Sequence, residues 1–381
     1  MLNCEARTDR EAGNCGCVIH RDLLKNRQAT RRRCAAVSDA LGRERVKTVI
    51  VGAGALGSVL GGYFAQVGAE VTLLARKAHV EAIRERGLHI EGMRGAHVVR
   101  NLRAVEDPAE VTSAELLILG VKSYDTQETL ASLEHLRGTL QAAISVQNGG
   151  RKEEELAEAF GRDVVVGAAT LVGATMPEPG RVIHTNDGWT WIGELDGRTT
   201  ARVERIAELF RRANLRIEVR SDIRTAIWCK LNQMVPAAAL SCVTRLFIHQ
   251  LYRDHALATA FVELSREVAQ VAECLRIPLE DFRGFEVKTV CTGSVERAVE
   301  SILRRGEIMQ ERGMTGVKIS TLQDLERGRR TEADQTIGYV IRLAEEQGVT
   351  VPKLRLLHHI IRGVETAQRE ASAPASARAA R

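Results

Sequence analysis

The stretch Val46-Lys47-Thr48-Val49-Ile50-Val51-Gly52-Ala53-Gly54-Ala55-Leu56-Gly57 decides the fold. A short β-branched run leads directly into G-x-G-x-x-G. A helical pattern follows, with Val59, Leu60, Tyr63, Phe64 and Val67 on one face and Gly68 closing it. This is strand, tight turn and helix in the order a dinucleotide pyrophosphate requires. Gly52 permits the turn, Gly54 leaves room for phosphate, and Gly57 lets helix and strand pack closely. The candidate cofactor-binding turn is therefore Gly52, Ala53, Gly54, Ala55, Leu56 and Gly57, with the helix N-terminus offering free N–H groups and partial positive charge to an anion.

The second strand reads Glu70-Val71-Thr72-Leu73-Leu74-Ala75 and ends in Arg76-Lys77. NAD enzymes place an acid here for the ribose 2′-hydroxyl. An acid is absent and cations stand in its place, which favours NADP(H), with Arg76 pairing the 2′-phosphate.

Downstream, apolar runs at 116–121 and 143–147 read as further buried parallel strands. Residues 88–105 read as a hairpin inserted into that sheet. Strand signals also occur at 164–166, 182–184, 190–192 and 215–219. After Ser221 helical periodicity takes over, at 223–246, 256–275, 292–305, 320–327, 334–347 and 354–366. The expected fold is an α/β Rossmann-type N-terminal domain over 46–221 plus an all-α C-terminal domain over 222–368, with a cleft between them for substrate. Residues 1–45 are expected to be a disordered extension and 369–381 a disordered tail.

Of the 54 Lys/Arg and 49 Asp/Glu, residues 1–45 hold 10 and 6, so most of the net charge of +5 lies there. The remainder is near neutral, which argues against nucleic-acid binding. No apolar run reaches the roughly 18–20 residues of a membrane span. No signal-peptide core is evident, so a cytoplasmic location is expected. Cys229, Cys242, Cys274 and Cys291 lie in apolar helical segments and read as small buried hydrophobes of a reducing compartment. Cys4, Cys15, Cys17 and Cys34 match no common zinc spacing, and no metal is expected.

Ligands of an open α/β sheet lie beyond the carboxyl ends of its strands. Lys122 follows the third strand run and Asn148 the fourth, in Gln147-Asn148-Gly149-Gly150. In the helical half, Trp228-Cys229-Lys230-Leu231 puts a lysine into an Ala/Leu/Met-rich helix, where an ammonium needs a partner, a path to water or a task. Ser320-Thr321-Leu322-Gln323-Asp324 and Thr331-Glu332-Ala333-Asp334 add a hydroxyl and carboxylates, of which Asp324 and Thr331 also read as helix caps.

In this order, the G-x-G-x-x-G start, strand-end Lys, Q-N-G turn, W-x-K-L helix and S-x-L-Q-D…T-E-x-D block resemble the ketopantoate reductases (2-dehydropantoate 2-reductases). Gly167 with Thr170, Pro179-Gly180, His184 and Ile192-Gly193 match as well. The resemblance runs from about Val46 to Val364. It implies NADPH-dependent reduction of a 2-oxo acid to a 2-hydroxy acid, with 2-dehydropantoate to pantoate, in pantothenate biosynthesis, as the leading reaction. It implies that Lys230 is the catalytic acid, that Glu332 assists it and contacts substrate, that Ser320 binds substrate, and that Lys122 and Asn148 lie at the cofactor–substrate junction. The chain departs from the family pattern K-L-x-x-N-x-x-x-N: Met234 and Ala238 stand where both Asn are expected, and Asn232 points elsewhere on the helix. A different oxo acid or an imine is thus an alternative substrate, and a catalytically silent NADP-binding sensor an alternative role. Pairing with a second copy through the helical half is left open.

Overall fold

The computed structural model describes residues 46–281 and 285–372. The extension expected over 1–45, its four cysteines and residues 373–381 lie outside them.

Along the chain, β1 (Lys47–Val51) leads into α1 (Ala55–Gln66), and β2 (Glu70–Leu74) into α2 (Lys77–Arg86). Then come β3 (Leu88–Gly92), β4 (His97–Val99) and β5 (Arg103–Val105). β6 (Leu116–Leu119) is followed by α3 (Thr126–Ala131), and β7 (Ala142–Ser145) by α4 (Lys152–Phe160). Four strands succeed one another: β8 (Val166–Thr170), β9 (Gly173–Glu178), β10 (Arg181–Asn186) and β11 (Thr190–Glu194). α5 (Ala201–Arg212) and β12 (Ile217–Val219) complete the α/β part.

Five strands form a parallel sheet in the order β5-β2-β1-β6-β7. β6 and β7 are buried at every position, as parallel strands covered on both faces must be. The chain builds outward from β1 in one direction through β2 and β5, then in the other through β6 and β7. The switch point between β1 and β6 is therefore the crevice where ligands of such sheets lie.

The segment 88–105 corrects the expectation of an inserted hairpin. β3 and β4 do pair antiparallel, but in a separate sheet of order β4-β3-β10-β9, and only β5 joins the main sheet, parallel to β2. The cause is one-sided burial: Leu88 and Ile90 of β3 are buried while His89 and Glu91 are not, which suits a sheet with one covered face. β8, β11 and β12 form a third sheet, and a β-bridge between Ala143 of β7 and Val165, just before β8, joins it to the main one. Residues 162–164 are a 3-10 turn, so that strand begins at Val166.

The rest is helical: α6 (Ile223–Thr244), α7 (Ile248–Arg253), α8 (His255–Cys274), α9 (Val287–Thr292), α10 (Val295–Glu311), α11 (Ser320–Glu326), α12 (Ala333–Glu346) and α13 (Pro352–Ser372). α13 extends past the expected end of order at residue 368. α6 is apolar around most of its circumference, as a central helix is. Its Trp228, Leu231, Val235 and Leu240 share one core with Phe261 and Val268 of α8, Ile337 and Val340 of α12 and Leu354 of α13, and Ala169 of β8 and Trp191 of β11 belong to that same core. Cys229 and Cys242 are buried in it, but Cys274 is exposed, since it ends α8 on the solvent side. No helix among the described residues is long and apolar enough to cross a membrane.

Candidate active site

At the switch point, Gly52 has φ of +77° and a Cβ there would lie 2.4 Å from Val121 Cγ1 and 2.5 Å from its amide nitrogen. The position needs both the left-handed conformation and the missing side chain. A Cβ on Gly57 would meet Ile50 Cγ2 at 2.9 Å, so α1 lies directly on β1. Gly54 differs: the nearest atom to its missing Cβ is 3.9 Å away, and the space before the turn is open. Gly54 caps α1 without a side chain, and the first turn contains no acid. The amides of Ala55, Leu56 and Gly57 thus put positive helix-end potential beside the space left free at Gly54. Ala53 donates its amide to Leu74 O at 2.9 Å, which holds the turn against the end of β2. Arg76 stands just beyond that end, its side chain 92% exposed and 3.7 Å from Asp125 Oδ2.

Lys122 follows β6 and opens a 3-10 turn, Ser123–Asp125. Its ammonium donates to Asp324 Oδ2 at 2.5 Å and to Glu332 Oε2 at 3.3 Å. Glu332 precedes α12, and its other oxygen accepts from Ser123 N at 2.9 Å and Ser123 Oγ at 2.6 Å. Burial pulls the Lys122 ammonium down, but the two carboxylates outweigh it and hold its pKa above the ordinary lysine value. Asp324, which the sequence also allowed as a cap, is an interior residue of α11 that serves this ion pair. Thr331 donates to Glu365 Oε2 at 2.8 Å and also accepts from the Ala333 amide.

Lys230 projects from α6 and donates to Asn148 Oδ1 at 3.0 Å. Asn148 Nδ2 lies 3.5 Å from Ser320 Oγ, which opens α11 one turn before Asp324. Burial is the main cause that draws the Lys230 pKa down, to about 7; the charge of Lys152 adds to it, while Glu332 and Glu153 oppose it through space. Lys152 and Glu153 are themselves buried: the Lys152 ammonium donates to Glu153 Oε1 at 2.6 Å, to Ser145 O at 3.1 Å and to Ala168 O. This pair was not singled out from the sequence; a Lys-Glu dipeptide at the start of a helix usually marks a solvated face.

The structure therefore brings Lys122, Asn148, Lys230, Ser320 and Glu332 together at the carboxyl ends of β6 and β7, against α6, α11 and α12. It does not place Glu332 on Lys230: both Glu332 oxygens are committed to Lys122 and Ser123. Asn232 faces away, donating to Ser265 O at 2.8 Å in α8. Met234 is half-buried and Ala238 buried on α6. A crevice of about 420 Å³ lined by Ile83, Arg84, Arg100 and Arg103 lies elsewhere and includes none of these residues. No group of three metal-ligating side chains occurs among the described residues.

Two family models match: ketopantoate reductase PanE/ApbA over residues 48–197 and its C-terminal counterpart over 222–365. The 2-dehydropantoate 2-reductase of Pyrococcus horikoshii is 33% identical over 325 residues, covering 84% of this chain and 98% of that protein. The crystal structure of a PanE/ApbA family ketopantoate reductase from Ralstonia eutropha is 30% identical with a TM-score of 0.72, over 85% of this chain and 99% of that one. A D-mandelate dehydrogenase, solved with NADH and anilino(oxo)acetate, shares the fold with a TM-score of 0.73 at 20% identity, over 84% and 99% of the two chains.

Proposed function

The chain belongs to the PanE/ApbA ketopantoate reductase family, and on that premise we propose that it reduces a 2-oxo acid to a 2-hydroxy acid with NADPH, 2-dehydropantoate to pantoate being the leading reaction. The observation that carries this reading is a desolvated lysine from the helical half set against Asn148 at the open end of the sheet.

The open ground before Gly54 and the uncapped first turn of α1 fit a pyrophosphate, and exposed Arg76 fits a ribose 2′-phosphate. NADPH supplies the hydride when bound. Lys230 does the acid work: its ammonium stabilises the negative charge that develops on the carbonyl oxygen and passes a proton to it. An ordinary lysine is a weak acid at neutral pH, and a pKa near 7 corrects that. Asn148 aims the ammonium. Ser320 and the Asn148 amide donate to the substrate's carboxylate or carbonyl oxygens. Glu332 acts at one remove, by fixing Lys122 and the β6 turn and by opposing full discharge of Lys230 through space.

A second reading rests on Met234 and Ala238. With no amide at either position, α6 presents the half-buried Met234 one turn beyond Lys230 and only the buried Ala238 two turns beyond it, which suits a 2-oxo acid with a more apolar tail than 2-dehydropantoate. The test is a steady-state assay of NADPH oxidation with 2-dehydropantoate and a panel of 2-oxo acids and imines. Acceleration by 2-dehydropantoate above the panel supports the first reading, and acceleration by a bulkier acid the second. NADPH binding with no acceleration by any of them overturns the enzyme in favour of a sensor.

A further inference from the structure

A buried histidine outside the reacting centre joins the two halves of the nucleotide site. His79 lies in the first turn of α2, three residues after Arg76, and is 4% exposed. Gly180 donates its amide to His79 Nδ1 at 2.8 Å. An amide can only donate, so Nδ1 carries a lone pair and the proton resides on Nε2. Nε2 is 2.9 Å from Ser58 Oγ, which must accept it. The Ser58 hydroxyl then donates to Ala53 O at 3.1 Å. Every donor and acceptor in the chain Gly180–His79–Ser58–Ala53 is thereby assigned. Burial also draws the His79 pKa below the ordinary value, in keeping with a neutral ring.

The far end of this chain is the glycine turn. The Ala53 amide is bound to Leu74 O and its carbonyl to Ser58, so both of its polar groups face inward. The α1 amides that follow are left facing the opening before Gly54. The near end is the start of α2, where the His79 amide donates to Arg76 O at 2.9 Å. Turn and Arg76 lie on separate βα units, and this imidazole spans them.

We propose that His79 is a positioning residue for the dinucleotide site, locking the phosphate-binding turn to the helix start that bears Arg76. The proposal rests on the reading above that this turn holds NADPH.

The experiment separates the two ring nitrogens. In His79→Gln the side-chain amide reaches the place of Nε2 and keeps the bond to Ser58. In His79→Asn it reaches only the place of Nδ1 and keeps the bond to Gly180. NADPH affinity is measured by fluorescence titration, with kcat, both KM values and thermal midpoints alongside. His79→Gln is expected to bind within about threefold of the wild type, while His79→Asn and Ser58→Ala each weaken NADPH about tenfold, the effect of one hydrogen bond. KM for NADPH should rise with kcat at saturation and the oxo-acid KM unmoved, and the His79→Asn/Ser58→Ala pair should be no worse than either change alone. Unchanged NADPH affinity in Ser58→Ala, or loss in His79→Gln equal to that in His79→Asn, overturns the proposal. If the wild type itself binds neither NADPH nor NADH, the functional reading fails instead.

Discussion

Lys230 Nζ donates to Asn148 Oδ1 at 3.0 Å, and this neutral amide is its hydrogen-bond partner among the described residues. Lys122, at the end of the neighbouring strand β6, has two carboxylates instead. The two lysines of one site are consequently driven in opposite directions, Lys122 above its ordinary pKa and Lys230 down to about 7. One is a fixed structural charge, and the other can release a proton near neutrality. Lys230→Ala should lower kcat by about two to four orders of magnitude, the range for a general acid. NADPH affinity should stay within about twofold, as checked by fluorescence titration, because Lys230 does not touch the glycine turn. Unchanged turnover would refute its role.

The acid must be protonated to act, so kcat/KM for reduction should fall as pH rises through about 7 in the free enzyme. Asn148→Asp puts a carboxylate against the ammonium and should move that alkaline limb up by a unit or more, as read from the pH–rate profile. The same depression acts on stability. Above about pH 7 the unfolded state holds a proton on this lysine that the folded state has lost, so stability falls as pH drops from roughly 10 towards 7. Lys230→Met should therefore raise the thermal midpoint at pH 7 while abolishing activity, a trade expected of a functional, partly buried charge.

Arg76 is almost wholly exposed, and its long contact with Asp125 contributes little to folding. Its removal should therefore be visible in cofactor choice rather than in stability. Arg76→Ala should weaken NADPH about 10- to 100-fold, the effect of losing charge-assisted bonds to a phosphate, and leave NADH unchanged. Equal loss for both cofactors would remove the argument for the 2′-phosphate.

Gly150 joins the Asn148 turn to the helical half. Its amide donates to Gln335 O at 3.1 Å, and a Cβ on it would lie 2.0 Å from Tyr339 Cδ1. Gly150→Ala should force turn and α12 apart, at about 1–3 kcal/mol of stability. It should also carry Asn148 away from Lys230, so kcat falls together with the thermal midpoint. Denaturant unfolding and steady-state kinetics on the same variant check both.

The strand–turn–helix at 46–68 was legible because local chemistry specifies it: β-branched residues, then glycines that nothing else can replace. Lys230 was legible because a cation in an apolar helix is a local anomaly. The pairing of Lys122 with Asp324 and Glu332 was not, since it joins residues 202 and 210 apart in sequence with no pattern connecting them. His79 was hidden for a similar reason. In a helix of mixed polarity a histidine carries no mark of burial, and its partners Ser58 and Gly180 lie 21 and 101 residues away. The second sheet was not legible because β3 and β5 are both short strands of mixed polarity, and only tertiary packing places one beside β10 and the other beside β2.

Met234 and Ala238 occupy the face of α6 that continues from Lys230, one and two turns on. A site that hydrogen-bonds a substrate hydroxyl rejects analogues lacking it far more strongly than an apolar site can reject one that has it. The chain as it stands should therefore discriminate weakly between 2-dehydropantoate and 2-oxo acids without a hydroxyl, by roughly 10- to 100-fold in kcat/KM at most. Met234→Asn with Ala238→Asn should shift that ratio towards 2-dehydropantoate by at least tenfold if the family substrate is the natural one. Ala238 is 1% exposed, so the larger side chain must find room there, and Met234→Asn alone provides the control for packing. If both variants lose activity on every acid in proportion, α6 does not face the substrate's tail, and the apolar reading of the pocket fails with it.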